Sequence, residues 1–275
     1  MRPADRVDVL HLFSEERARL LELLTSLTRD QWFLPTVCPG WTVRDIALHL
    51  LGDDLGRLSR TRDHFPGAVP PLAGASIVDV VNQQNELWVA ATRRLSPEVL
   101  CDLLSVSGEW TRAYFATLDL DAVGGPVSWA GPEAAPVWLD VAREYTERWH
   151  HQQQIRDAVA APQLVARHLF APVLATFVHA LPHTFRDAEA VEGTTVHLRI
   201  SGDAGGDWSI RREGARWRLY VGAPQRPSTR VTMEQDLAWR LFTKGLSPAD
   251  AEQNATIDGD RYLGKQVLLT VSVIA

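Results

Sequence analysis

The hydrophobic period changes partway along this 275-residue chain, and that change constrains its fold more than any other feature. In the first part apolar side chains recur every three or four positions, as Val9, Leu10, Phe13, Leu20, Leu23 and Leu24 do in "VLHLFSEERARLLELLTSL". An α-helix turns once per 3.6 residues, so this spacing makes one face apolar and requires a core for it to pack on. Further on, "TTVHLRIS", "DWSIRRE" and "RWRLYVG" alternate with period two and are separated by the turns "GDAGG" and "EGA", the pattern of an antiparallel meander. The chain is therefore read as α+β: a helical bundle over residues 1–162, then a small α+β domain with an antiparallel sheet over residues 163–275.

Local signals predict the elements. Helix one is expected over residues 4–28, and a second in "WTVRDIALHLLGDDLGRLSRTR", with Thr42 as N-cap and Asp45 three residues on as a short capping box. After a loop at "PPLAGAS" a helix spans about 76–94. Ser96-Pro97-Glu98 starts another, since proline is tolerated in the first turn, and it reaches about 118. From Pro136, "VWLDVAREYTERWHHQQQIRDAV" forms one more long helix, followed by a helical segment through "AAPQLVARHLFAPVLATFVHALPHTF". In the second part "MEQDLAWRLFTKGL" reads as helix, "ATIDGD" as a short strand, and "QVLLTVSVI" as an apolar strand that closes the chain.

Composition narrows the class. A net charge of −6 and the lack of a basic tract argue against a nucleic-acid partner. No run approaches the ~18 apolar residues that a membrane helix needs, and "MRPADRVDVLHLF" is not a signal-peptide core, so a cytoplasmic protein without a membrane partner is expected. Cys38 and Cys101 are too few for a disulfide framework and are not spaced as a CxxC pair.

Candidate chemistry centres on "ERWHHQQQIRDA", residues 147–158. Side chains at i and i+4 share a helix face, so Glu147 and His151 point the same way and His150 points elsewhere. Such a couple serves as a hydrogen-bonded structural pair, an acid/base pair, or two ligands of a metal ion. Helix bundles build metal sites from inward side chains of different helices, and His49, set among Ile46, Leu48, Leu50 and Leu51, is the candidate third ligand. The competing reading of His49 is a core imidazole bonded to a carbonyl. Two histidines and one carboxylate fit Zn²⁺ and leave a coordination position open, although Ni²⁺, Fe²⁺ or Co²⁺ suit the same donors. Glu144, Arg148 and Arg156 read as solvated or as ties to neighbouring helices, and Asp157 as a salt-bridge residue more than a ligand-orienting one. Trp41, Trp138 and Trp149 flank these motifs and read as core fillers before pocket walls. Cys38, in a proline-glycine turn, reads as packing and not as a nucleophile.

"PTVCPGWTVRDIALHL" and "EYTERWHHQQQIRDA" together resemble the mycothiol-dependent maleylpyruvate isomerase family of the DinB-like superfamily. The resemblance spans roughly residues 5–160 and implies a four-helix bundle holding a divalent metal, usually zinc, at His49, Glu147 and His151. From about residue 165 the chain is similar in pattern to sterol-carrier-type domains. The resemblance also implies an arginine from this second domain in the active cleft, for which Arg218, Arg230 and Arg240 are candidates. Gln154 stands where an aspartate is expected in many relatives. The expected activity is thiol-dependent: mycothiol or a similar small thiol adds to a small electrophilic substrate, giving an isomerase if the thiol then leaves or an S-transferase if it stays. A metal-dependent hydrolase and a non-catalytic small-ligand-binding module are the alternatives.

Overall fold

The computed structural model describes residues 1–65, 74 and 76–273; of the loop read at "PPLAGAS" only Gly74 and Ser76 fall among them. By their contacts these residues form two compact units, one of 9–119 and 147–164, the other of 1–8, 120–146 and 165–273. The chain thus passes from one unit to the other four times, the last time at 164/165, beside the boundary read at 162.

The first unit is helical. It contains α1 (Phe13–Ser26), α2 (Val43–Arg57), α3 (Ile77–Thr92), α4 (Pro97–Phe115) and the second half of α5 (Val137–Ala158). Thr42 caps α2 as expected: its hydroxyl accepts from the Asp45 amide while the Asp45 carboxylate accepts from the Thr42 amide. Ser76 and Asp79 repeat this box on α3, and Ser96 with Pro97 opens α4. α2 packs on both α3 and α4, and α4 also packs on α1. A helix enclosed in this way is apolar nearly all round, which explains why Val43, Ile46, Ala47, Leu48, Leu50 and Leu51 are all buried. Each large aliphatic side chain so enclosed contributes about 1.5–3 kcal/mol. Gly52 lets the Trp88 side chain of α3 lie close against α2. A Cβ there would lie 2.6 Å from Trp88, whose indole N–H donates to the Leu48 carbonyl across the α2–α3 contact.

Helix one is shorter than expected. The α-helix starts at Phe13, after a single 3₁₀ turn at Leu10–Leu12, and residues 1–8 belong to the other unit. There Arg2–Pro3 forms β1 at the edge of a sheet. Proline restricts the residue before it to extended backbone and is tolerated at a sheet edge, so Pro3 favours strand over helix here.

The second unit is built on a six-stranded sheet in the order β1-β4-β3-β2-β5-β6, with β2 Thr195–Ser201, β3 Gly206–Glu213, β4 Arg216–Val221, β5 Thr229–Glu234 and β6 Thr256–Gly259. β2, β3 and β4 are the expected antiparallel meander. The sheet as a whole is mixed, because β5 runs parallel to β2 with Leu198 opposite Val231. Strand β5 corrects the reading of Met233 and Glu234 as helix. Thr229, Val231 and Met233 are buried while Arg230 and Glu234 are exposed, a period of two, and helix begins only with α8 (Gln235–Phe242). Helices α6 (Arg167–Phe177), α7 (Leu181–Thr184) and α9 (Pro248–Asn254) precede and follow these strands.

The expected closing strand is also corrected. Residues Arg261–Val267 form helix α10, capped by the Asp260 carboxylate, and 268–273 carry no regular element. Leu263, Gly264, Val267 and Leu268 are the buried positions, a helical spacing that the dense run of aliphatics conceals. Gly264 lets α10 lie on β6, since a Cβ there would sit 2.3 Å from Ile257. Among the described residues no helix is long and apolar enough to cross a membrane.

The same unit holds Trp138, whose ring meets His179 edge-on at 5.2 Å between centroids. Burial pushes the His179 imidazole down to about 4. Its folded pKa lies below the unfolded value of 6.5, so between these limits the unfolded chain binds the proton and the folded one does not. Stability should therefore fall as pH drops from 6.5 toward 4, by at most about 1.4 kcal/mol per pH unit from this group. Urea midpoints for the wild type and His179→Gln over this range check it: the variant should lose less stability per unit.

Candidate metal centre

Helices α2 and α5 bring three donors together. His49 Nε2 lies 3.1 Å from His151 Nε2. Glu147 Oε1 is 3.0 Å from His151 Nε2 and 3.6 Å from His49 Nε2. All three ligand atoms fall within 4.8 Å of one another, a group whose donors a single divalent ion can bridge. The one-turn spacing of Glu147 and His151 puts both on one face of α5, and α2 delivers His49 from across the core. The imidazoles are nearly enclosed, at 5% and 8% exposed, while the Glu147 side chain keeps 24% of its surface.

The electrostatics suit a cation. Burial alone would raise the Glu147 pKa, but His150, His151 and His49 outweigh it and hold the carboxyl well below its usual range. Burial would lower His49, yet Asp53 and then Glu147 carry its pKa above the ordinary value. Asp53 is the residue that the sequence reading missed. It stands one turn beyond His49, with Oδ2 3.4 Å from His49 Nε2. The signal was the i, i+4 spacing that picked out Glu147 and His151.

Gln154 fixes the orientation of His151. Its side-chain oxygen lies 2.7 Å from His151 Nδ1. A carbonyl oxygen only accepts, so Nδ1 donates to it and Nε2 is turned toward Glu147 and His49. The Cys38 thiol donates to the same oxygen at 3.4 Å. Burial pushes the Cys38 thiol up, which leaves it a poor nucleophile and agrees with a packing role. His150 is nearer than its phase suggested. Its ring lies against His151 with centroids 4.1 Å apart and planes tilted by 34°, and its Nδ1 is 3.9 Å from the other Glu147 oxygen, yet it is not one of the three converging donors.

Arg148, Arg156 and Glu144 of α5 are buried ties and not a solvated face, whereas Asp157 is exposed. Arg148 is 2% exposed and donates to Asp54 at 2.7 Å. Arg156 is buried against the carbonyls of Pro162 and Arg19, and Glu144 is buried and accepts from Arg143. Asp157 accepts from Gln163. Trp149 is wholly buried with its N–H on the Leu164 carbonyl. Trp41 lies with its ring 5.3 Å from His49 and its N–H on Glu86. The three arginine candidates lie in the sheet unit. Arg218 pairs with Glu213, and Arg240 pairs with Asp236 over the Trp239 ring. The Arg230 Nε donates to His197, which is itself bonded to Asp207.

A helical unit with two histidines and a carboxylate converging in its core, in one chain with a mixed-sheet unit, defines an α+β protein with a candidate metal site. The mycothiol maleylpyruvate isomerase N-terminal domain profile matches residues 13–156, more than half of the chain, and the chain belongs to that family. Two crystal structures, both of the mycothiol-dependent maleylpyruvate isomerase and one of them of a point mutant, are similar in fold. The mutant superposes with a TM-score of 0.54 at 14% identity, the other with 0.53 at 13%, each covering 90% of this chain and 91% of that one. No curated protein matches the chain by sequence.

Proposed function

We propose that this protein is a metal-dependent enzyme that uses mycothiol or a similar small thiol to isomerise, or transfer the thiol to, a small electrophilic substrate. The convergence of His49, Glu147 and His151 in a chain of this family carries the reading. The donor set fits a divalent ion, Zn²⁺ first: two imidazoles and one carboxylate match its preferences, and three protein ligands leave room for an exogenous one. A bound divalent ion supplies the charge that keeps a coordinated thiol deprotonated at neutral pH.

The chain's own residues prepare that chemistry. Glu147 stays ionised because three imidazoles surround it. Gln154 holds His151 in the tautomer whose Nε2 faces the cluster. Asp53 places a second carboxylate beside His49. The burial of both histidines limits water around the donors. The sheet unit is proposed to be sterol-carrier-like.

Thiol dependence tests the reading. Protein purified without chelator should contain a stoichiometric transition metal and should turn over maleylpyruvate or a related unsaturated acid only when mycothiol is added. Hydrolysis without added thiol would instead support a metal-activated water, the alternative that the same donors allow. A preparation that neither contains nor takes up metal would leave a small-ligand-binding module.

Gln154 supplies a sharper check. Losing an outer partner of a metal-binding histidine costs typically 10–100-fold in affinity. Gln154→Leu should weaken Zn²⁺ binding by about that factor, measured by competition with a chromophoric chelator. Gln154→Asp should retain or strengthen it.

A further inference from the structure

Helix α4 has two apolar faces, and the helical unit uses only one. Leu100, Cys101, Leu104, Thr111 and Phe115 turn inward and are buried. Val99, Leu103, Val106 and Trp110 are 45%, 40%, 45% and 51% exposed. At about 100° per residue these four fall in one sector of about 60°, roughly 120° round the helix from the buried face. Exposed apolar residues scattered singly are ordinary. An aligned row spaced four, three and four, ending in a tryptophan, is the pattern by which one helix receives another.

Charge along the row indicates what it receives. Glu98, Asp102 and Glu109 are exposed and follow one side of the stripe, about 70–110° from its midline. Arg112 reaches Glu109 from behind at 3.6 Å, on the side away from the stripe. The opposite flank carries the uncharged Ser96 and Tyr114. We propose that this face of α4 docks an amphipathic helix of another protein, one whose apolar row is flanked by lysine or arginine. A second copy of this chain fits poorly. Antiparallel pairing about the stripe's centre sets Asp102 of one copy near Glu109 of the other, and the chain's net charge of −6 adds to that repulsion. A basic partner is attracted by both terms.

The full-length chain and two synthetic helical peptides of about 18 residues test this. Both peptides carry leucines at the four-three spacing; one has lysines beside them and the other glutamates. Fluorescence anisotropy should show saturable micromolar binding of the lysine peptide and at least tenfold weaker binding of the glutamate peptide. Val106→Asp should weaken the lysine peptide at least tenfold while leaving the melting temperature unchanged, because the position is solvent-facing. Asp102→Lys with Glu109→Lys should reverse the preference between peptides. Equal affinity for the two peptides, or indifference to Val106→Asp, would overturn the proposal. So would sedimentation showing a dimer that Val106→Asp dissolves, since the occupant would then be a second copy.

Discussion

His49→Ala and His151→Ala should each abolish stoichiometric metal uptake, whereas His150→Ala should keep it. The expected loss is at least ~100-fold in Zn²⁺ affinity, beyond the 10–100-fold range seen when only an outer partner of a ligand is removed. The reason is geometric. His49 and His151 place their Nε2 atoms 3.1 Å apart against one Glu147 oxygen, while His150 approaches the other oxygen at 3.9 Å and leans on its neighbour with the rings tilted by 34°. Losing His150 should cost less than about tenfold, through looser seating of His151 and Glu147. Equilibrium dialysis against Zn²⁺ with elemental analysis of the protein fraction measures all three variants. Equal losses from His150→Ala and His151→Ala would mean that α5 presents a different face to the ion, and the proposed centre would have to be redrawn.

The three donors were legible because each obeyed a local rule. Glu147 and His151 stand one turn apart, and His49 is an imidazole in an otherwise apolar helix. Asp53 obeys the same one-turn rule with His49, but in "GDD" it reads as an exposed helix acid, and only the structure shows its oxygen 3.4 Å from the imidazole. The helical unit was legible where capping residues marked the starts, as at Thr42, Ser96 and Pro97. Local signals failed where partners distant in sequence decide the conformation. Arg2–Pro3 is a strand because Val221 and Tyr220 offer it a sheet edge. Met233 is extended because Ile200 stands beside it on β2, and Arg261–Val267 is helical where Gly264 lies close against Ile257. Buried charge was also hidden. Glu16 looks like an ordinary first-turn acid, yet it is fully enclosed, takes a hydrogen bond from Gln152 at 2.8 Å, and has its pKa raised by burial.

Asp54 is the largest of these hidden features, and Asp54→Ala should destabilise the protein by about 3–5 kcal/mol. Its carboxylate is wholly buried and accepts from Arg17 at 2.8 Å, Arg148 at 2.7 Å and Ser107 at 2.7 Å, joining α1, α2, α4 and α5 at one point. Removing it takes away the carboxylate that two buried guanidinium groups share, which costs far more than the intact cluster contributes. Typical domains are stable by only about 5–15 kcal/mol, so the loss takes up about a fifth of the total or more. Chemical denaturation measures it. Replacing Asp54, Arg17 and Arg148 together by leucine and methionine should recover part of the loss, because the cost lies in burying charge without the carboxylate that the two arginines share. The pH dependence has a definite sign. Burial works to raise the Asp54 pKa, but Arg17 and Arg148 prevail and hold it below its ordinary 3.8. Its contribution is complete above that value and is lost as pH falls through the lower folded pKa, so the wild type and Asp54→Ala should converge in stability at the acid end. Arg148 adjoins Glu147, and Asp54 follows His49 by little more than one turn. The variant should therefore also weaken Zn²⁺ binding under conditions where circular dichroism still shows full helix content. A variant that lost stability but bound Zn²⁺ with unchanged affinity would show that the cluster holds the bundle together without setting the positions of the donors.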